Sequence, residues 1–467
     1  MQELTPIYSA LKNYAGQDFL RLHMPGHIGK DITLQDLSVM AAFDVTEVPG
    51  LDDLHLPVGI IKQSQDLLAR AFAAEESFFL VNGATSGIHA LFMALGTEGQ
   101  KIMVPRNAHR SFYGGMVLAG AVPVYIPVET EPDLGIALAV KPEDVKALLL
   151  ENPEVTAVFI TSPSYYGTSS DIKAIASVAR AGQKKLLVDE AHGAHFSFSK
   201  QYPRSALESG ADAVVNGLHK TMPVLNQGAC LHLAASLAGD VKIKEAVSML
   251  TTTSPSYPIL ASIELARRFM EEKGDLLLAR VSKFSSYYRS KINKIKGIKC
   301  CEEELRRVNG VKELDPLKVL ISVRETGLSG YQFATLLRDK YHIQVEMEDH
   351  SFILAMFSIF HDDQDWERLY QALRAIAAAY PGEGEPIFKV ENPPLPRMIL
   401  SPRQAFMAPS RRVALKDALN LVAAEMIAAY PPGIPCILPG ELIEQDMLDY
   451  IDYLRKSDAR LQGPERL

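Results

Sequence analysis

Residues Val214–Pro223 read VVNGLHKTMP. The apolar run that leads into them, Ala213-Val214-Val215, has the character of a buried strand. It breaks at Asn216-Gly217, a turn-prone pair. His219 and Lys220 follow, just where the chain leaves the strand. Lysine is among the residues least often fully buried. A lysine at the end of a core strand therefore either snorkels to water or has a chemical task.

Reading outward, the same layout recurs. Upstream, KKLLVDEAHGAH (Lys184–His195) is a strongly apolar strand that ends on Asp189. A carboxylate there requires a cation or hydrogen-bond donors; the plainer reading is a helix N-cap. Earlier, FFLVNGATSGIHALFMALG (Phe78–Gly96) reads as a strand stopping at Asn82 and a helix opened by Gly83-Ala84-Thr85-Ser86-Gly87. Free backbone N–H groups at such a helix start attract anions, although an ordinary Gly/Ser cap looks the same. It is not a P-loop, because no GK[ST] follows. PRNAHRSFYGG (Pro105–Gly115) follows the strand KIMV and puts His109 at another strand end.

From about residue 62 to 290, short apolar runs alternate with segments of helical period, the pattern of a mostly parallel sheet covered by helices. The rhythm changes after about 300. LKVLISV, SGYQFATLLRDKY, IQVEME, FILAMFSI and DWERLYQALRAIAAAY read as a small α+β unit. A Pro-rich link (Tyr380–Met398) follows, and then a last helical segment running into YPPGIPCILPGE (Tyr430–Glu441). The expected organisation is an N-terminal arm over 1–61, a large α/β domain over 62–300, a small α+β domain over 301–390 and a C-terminal helical segment over 391–467.

Bulk properties exclude several classes. The 467 residues are 47% hydrophobic and 22% charged, which suits a soluble chain with a large core. A formal charge of -8 gives no general attraction for nucleic acid or anionic membranes. The four cysteines form neither a CxxC pair nor a disulfide framework. No signal peptide and no apolar run long enough to span a membrane is present, so the expectation is a cytoplasmic protein. Asp189, Glu190, His192 and His195 are all possible metal ligands, but they lack HExxH spacing and no metal is expected.

One carboxylate, one lysine and one anion cradle thus fall at strand ends of one alternating α/β segment. Pyridoxal 5′-phosphate needs those three groups: a carboxylate for its ring nitrogen, an amine for its aldehyde and an anion site for its phosphate. The flat imidazole of His109 suits stacking on a flat ring.

These residues lie in motifs through which the chain resembles the ornithine/lysine/arginine decarboxylase family, pyridoxal-phosphate enzymes of fold type I. The motifs, in order, are HMPGH, DVTEVPGLDDL, NGATSG, PRNAHRS, TSPSYYG, VDEAHGAH, LHKTMPVLNQGA, TTTSPSY, SPRQAF and YPPGIPCILPGE. The chain looks like the shorter form, without the N-terminal receiver-like domain of the large inducible members. The resemblance implies that Lys220 is the Schiff-base lysine, with His219 beside it. It implies that Asp189 pairs with the pyridine nitrogen, Ala191 packs under the ring and His109 stacks on its face. It also implies that Ala84, Thr85 and Ser86 hold the phosphate, that His192 is a cofactor neighbour, and that Thr252 to Ser254 reach the partner subunit's site in a homodimer or larger homo-oligomer.

The implied reaction is α-decarboxylation of arginine, lysine or ornithine, serving polyamine synthesis or acid consumption. Glu441, Asp417 and Glu47 are candidate anchors for the substrate's cationic side chain. The chain departs from the family pattern at Gly217, where relatives carry Ser, at Ile28, where they carry Lys, and at Asn420-Leu421, where they carry Gly-Arg. Three rivals remain: transamination, with Arg403 clamping the α-carboxylate, or lyase chemistry on the same fold; a regulatory protein that keeps the fold without turnover; and, more distantly, a metal-dependent hydrolase at Asp189, His192 and His195.

Overall fold

The structure, a computed structural model, describes residues 4–17, 24–25, 41–382, 395–429, 434–456 and 461–463. It divides into two compact units: Met1–Leu95, Leu187–Lys200 and Arg204–Asp275 in the first, and Gly96–Leu186, Gln201–Pro203 and Leu276–Leu467 in the second.

The first unit is built on four strand segments, adjacent in the order Glu76–Leu80, Ala229–Leu233, Ala213–Asn216 and the end of Lys185–Asp189. Ala229–Leu233 runs antiparallel to both of its neighbours, with Leu80 opposite Ala229 and Cys230 opposite Asn216. Ala213–Asn216 and Lys185–Asp189 are parallel, with Asp189 opposite Val215. Two reversals restore the direction, so three strands run the same way and end on one edge, at Leu80, Asn216 and Asp189. Ala229–Leu233 is the antiparallel member of this otherwise parallel set. It is reversed because a loop of residues 217–228, with no full crossover helix, joins it to the preceding strand, and only an antiparallel pair allows so direct a connection.

Helix Gly83–Leu95 leaves that edge and returns along the sheet. Its strand ends at Leu80, two residues before the expected Asn82. Gly87 sets how close the helix comes. A Cβ there would stand 2.7 Å from Leu80 Cδ1 and 3.1 Å from Val215 Cγ1. The absent side chain lets the first helical turn settle onto the strand that leads to Lys220.

The second unit carries the parallel trio Ala157–Thr161, Lys101–Pro105 and Val122–Ile126, with Lys101–Pro105 in the middle. Arg110–Ala119 and Pro142–Glu151 are helices of the intervening connections. The expected small α+β unit is present as a four-stranded sheet, in the order Lys299–Cys300, Lys318–Ser322, Phe352–Met356 and Met347–Glu348. It carries helices Gly330–Tyr341 and Asp363–Ala379.

The last helical segment before Tyr430 is not observed. Among the described residues, that stretch holds a short helix, Pro402–Met407, a single 3-10 turn, Leu415–Asp417, and the strand Ile427–Ala429. Asn420 adopts φ +61°, which breaks any helix. The backbone is satisfied laterally instead: Asn420 N donates to Ile443 O (2.8 Å) and Ala423 N to Glu441 O (2.8 Å). The helix of this part lies further on, at Gln445–Lys456, where Met447, Ile451 and Leu454 pack on Ile427, Cys436 and Ile437. Tertiary pairing here overrides the helix propensity of an Ala- and Leu-rich sequence.

Gly87→Val should crowd Leu80 and Val215 and destabilise the fold by about 1–3 kcal/mol, the usual magnitude for overpacking a dense core. A lowered urea midpoint is the expected result.

Candidate functional site

Asn216 ends its strand, and Leu218–Thr221 forms a single helical turn with Gly217 as its N-cap. A Cβ on Gly217 would stand 3.0 Å from Ala191 O and 3.3–3.4 Å from Lys220 Cδ and Cε. The glycine therefore lets the turn after Asp189 and the Lys220 stem pack against each other. This gives a physical reason for glycine where the family pattern has serine. Lys220 Nζ lies 3.1 Å from His192 Nε2. Its charge also reaches Asp189, which is buried and accepts a hydrogen bond from Ala191 N (3.1 Å). Burial pushes the Asp189 carboxyl above the usual range, while Lys220 and the Ala191 N–H pull it back.

His219 N and Nδ1 both face the Gly228 carbonyl, at 3.1 and 3.0 Å. A carbonyl only accepts, so Nδ1 carries the proton and Nε2 holds the lone pair. Burial, followed by the nearby Lys220 charge, lowers the His219 pKa, against an opposing contribution from Gly228. One residue earlier in that loop, Gln227 O accepts from Gly83 N (2.9 Å). Adjacent carbonyls thus tie the helix start at Gly83 to the turn bearing Lys220. Gly83 itself needs φ +73°. Thr85 is exposed at the first turn, Ala84 is buried, and the Ser86 hydroxyl donates to Gly83 O (2.9 Å).

Behind this edge, Glu190 was read from sequence only as a possible ligand and Asn216 only as a turn residue. Asn216 is fully buried, and its side chain does not face solvent at a turn. Asn216 Nδ2 donates to Glu190 O (2.9 Å) and Glu190 Oε2 (3.1 Å), and Ala206 N donates to Glu190 Oε1 (2.8 Å). Burial pushes the Glu190 carboxyl up to about 8; the Asn216 and Ala206 bonds oppose this, and Glu208 and Asp189 add to it. Among the described residues, no three His, Cys, Asp or Glu side chains converge as a metal site.

The first unit therefore brings together Lys220, His219, Asp189, Ala191, His192 and the Gly83–Ser86 helix start. Thr252 belongs to the same unit, in an irregular exposed stretch where its carbonyl meets His55 Nε2 (3.0 Å). His109 belongs to the second unit, where it caps helix Arg110–Ala119, with Nδ1 2.9 Å from Ser111 Oγ. His27 and Ile28 of the HMPGH region, and the start of YPPGIP, lie outside the described residues.

The second unit also settles two acid and arginine expectations. Glu441 is completely buried, with Arg106 Nη2 at 2.9 Å, Tyr125 Oη at 3.1 Å and Leu438 N at 2.7 Å. Arg106 further donates to Pro435 O and Cys436 O (2.7 and 2.9 Å). Glu441 is thus held in an ion pair with no exposed surface. Asp417 and Glu47 are both exposed. Arg403 donates to Val117 O and Leu118 O, carbonyls at the end of helix Arg110–Ala119, and pairs with Glu98. That is a helix-terminus role, not a carboxylate clamp. The signal for Arg106 was present in its sequence position, directly after a buried strand and three residues before His109.

Comparison with known proteins agrees with this geometry. Residues 5–365 match the Orn/Lys/Arg decarboxylase major domain and 387–466 its C-terminal domain. The arginine decarboxylase of Bacillus subtilis is 36% identical over 99% of this chain and 96% of its own length. That of Halalkalibacterium halodurans is 35% identical over 99% and 96%. The lysine decarboxylase of Francisella novicida superposes with a TM-score of 0.86 at 21% identity, over 99% of this chain and 80% of its own. The chain belongs to the Orn/Lys/Arg decarboxylase family. It is a fold type I, pyridoxal-phosphate-dependent enzyme that decarboxylates a basic amino acid.

The residues present fit that cofactor. A buried carboxylate with one backbone N–H partner favours a cationic ring nitrogen. A helix start with an exposed threonine hydroxyl favours a phosphate. The lysine lies at the same sheet edge as both.

Two outcomes test these networks. Glu190 holds its proton more tightly folded than unfolded, so its contribution to stability is complete below about pH 4.5 and is lost as pH rises toward about 8. Glu190→Gln removes that slope, and its denaturation midpoint relative to the parent protein should rise across this window. Arg106→Ala leaves Glu441 buried without its cation and should cost about 3–5 kcal/mol, whereas Arg106→Met with Glu441→Met should recover most of it, read by urea denaturation.

Proposed function

We propose that this enzyme decarboxylates arginine, and that Lys220, Asp189 and the Gly83–Ser86 helix start hold its cofactor. The substrate reading rests on one contrast. The full-length relatives at 33–36% identity are named arginine decarboxylases. Those named lysine decarboxylases stand at 22–24%.

Bound pyridoxal phosphate supplies an electron sink for the pair left on Cα when CO2 departs. Asp189 would hold the positive charge of the ring nitrogen, with Ala191 beside it. The N–H groups of Ala84, Thr85 and Ser86, with the exposed Thr85 hydroxyl, would take the phosphate, while the Ser86 hydroxyl stays on Gly83 O. Lys220 provides the covalent attachment point, and His192 Nε2 accepts a hydrogen bond from its Nζ. The Cα–carboxylate bond breaks and a Cα–H bond forms. Its proton comes from Lys220 Nζ or from His219, whose Nδ1–H is anchored on Gly228 O so that Nε2 is the nitrogen able to relay it.

Arg403 is engaged at a helix end, which disfavours the aminotransferase alternative. A site that does not neutralise the α-carboxylate favours its loss as CO2.

The working unit in this reading is a homodimer, with Thr252 to Ser254 reaching the partner's site. Support comes from the exposed side chains of Leu56, Val58 and Met249 in stretches linked through His55, which meets Ser248 Oγ (2.9 Å) and Thr252 O. Apolar side chains grouped in this way mark an interaction surface. The reading places the enzyme in the cytoplasm, in polyamine synthesis.

Purified protein reconstituted with pyridoxal phosphate should show a visible cofactor band that Lys220→Ala abolishes. CO2 and the corresponding amine should form from arginine with kcat/KM at least about tenfold above lysine or ornithine, a margin of about 1.4 kcal/mol. Formation of a keto acid in place of CO2 would move the enzyme to transamination.

A further inference from the structure

Two buried groups on the cofactor edge, Glu190 and Asn216, have no part in the chemistry above. They nonetheless connect the two strand ends that carry it. Glu190 immediately follows Asp189 and precedes Ala191 and His192. Asn216 precedes Gly217 and lies four residues before Lys220. Between these segments runs a continuous set of bonds. Glu190 N donates to Val215 O (2.9 Å), extending the parallel ladder one step past the strand. Asn216 Nδ2 returns the contact to Glu190 O (2.9 Å) and Oε2 (3.1 Å). Glu190 O also accepts from Gly193 N (2.9 Å), closing the turn that contains His192. The opposite carboxyl oxygen is held by Ala206 N at 2.8 Å. Asn216 is 0% and Glu190 3% exposed, so water does not compete for these bonds.

We propose that Glu190 and Asn216 are positioning residues, a buried brace that fixes Asp189 and His192 relative to Lys220 for cofactor-dependent decarboxylation. The proposal rests on Lys220 and Asp189 being the cofactor residues. Its geometry follows from the strand ends. Past Asp189 and Asn216 the ladder stops, and each chain turns away within one or two residues. Gly217 lets the two turns approach closely but supplies no side-chain bond between them. The Asn216 amide supplies two bonds to one residue across that contact. A brace that slipped would move Asp189 against the ring nitrogen and Lys220 against the reacting carbon, and errors of about 1 Å at such sites cost roughly 100-fold in rate.

A protonated Glu190 also suits the position. A second full negative charge beside Asp189 would also face Glu208 and Cys230 on neighbouring segments, against the bonds from Asn216 and Ala206 N–H. A neutral acid leaves Asp189 as the single anion presented to the ring.

The test uses the full chain reconstituted with pyridoxal phosphate. It reads the pH midpoint of the visible cofactor band together with kcat and KM for arginine. Asn216→Ala should lower kcat by roughly 10- to 100-fold, leave KM nearly unchanged and shift the band's midpoint. Glu190→Ala should do the same, and Glu190→Gln should restore part of the loss, because its single amide oxygen can keep the bond from Asn216 Nδ2 or from Ala206 N but not both. Asn216→Ser, too short to reach Glu190, should behave as Asn216→Ala and replaces it if the alanine variant does not fold. Folded Asn216 variants that keep both the midpoint and kcat within twofold would overturn the proposal. So would failure of both to fold, which would make the pair a stability element only. A Lys220→Ala variant that keeps the visible band would instead refute the cofactor-lysine assignment, and that result is read independently of the brace.

Discussion

The direction of the Ala229–Leu233 strand is the constraint on which the site depends. Because it runs antiparallel to both Glu76–Leu80 and Ala213–Asn216, those two strands point the same way, and Lys185–Asp189 points with them. Their C-terminal ends share one edge. A helix that attracts anions, a lysine and a buried carboxylate are thereby delivered to the same side of one sheet. Carboxyl ends of strands are where ligands bind in open α/β sheets. The close approach at Gly87 and the paired carbonyls of Gln227 and Gly228 then set the spacing between the helix start and the Lys220 turn.

Charge at this edge is arranged with similar economy. Asp189 is buried, and among the described residues the Lys220 charge and the Ala191 N–H oppose the cost of burying it. A cationic ring nitrogen would add to that compensation. Glu190, next in sequence and equally buried, is pushed up to about 8 by the same desolvation, against its bonds from Asn216 and Ala206. In the second unit the arginines near the motifs are committed to structure. Arg106 is matched to Glu441 and two carbonyls, and Arg403 to Glu98 and a helix end. Burying Arg106 and Glu441 together is tolerated because each carries several hydrogen bonds; separating them is not.

Much of the fold was legible because its signals are local. Strand runs ending on Asp189 and Asn216, and the glycine-led helix at Gly83, stand out against the intervening helical periods, and motif order carried the family resemblance. What misled was also local. The stretch from Val413 to Ala429 has helix-forming composition, yet its backbone N–H groups find partners on residues 441 and 443, and Asn420 takes a left-handed conformation. Asn216-Gly217 reads as a turn-prone pair with no sign that the Asn216 side chain is buried, yet it is fully buried and bonded to Glu190. Glu441 reads as an acid free to meet a substrate, yet it is already paired. In each case the deciding partner lies far away in sequence, and propensity contains no term for it.

The sequence by itself therefore determined the chemistry on offer: a lysine, an aspartate and an anion cradle, each placed at a strand end by an apolar run that could only be buried. Hydrophobic period and residue type are properties of short segments, and they suffice for that. Tertiary structure alone decided which of those groups meet and which polar side chains are already satisfied. Hydrogen bonds such as Asn216 to Glu190 and Arg106 to Glu441 form across long separations, because a buried polar group must find whatever partner the folded chain brings to it.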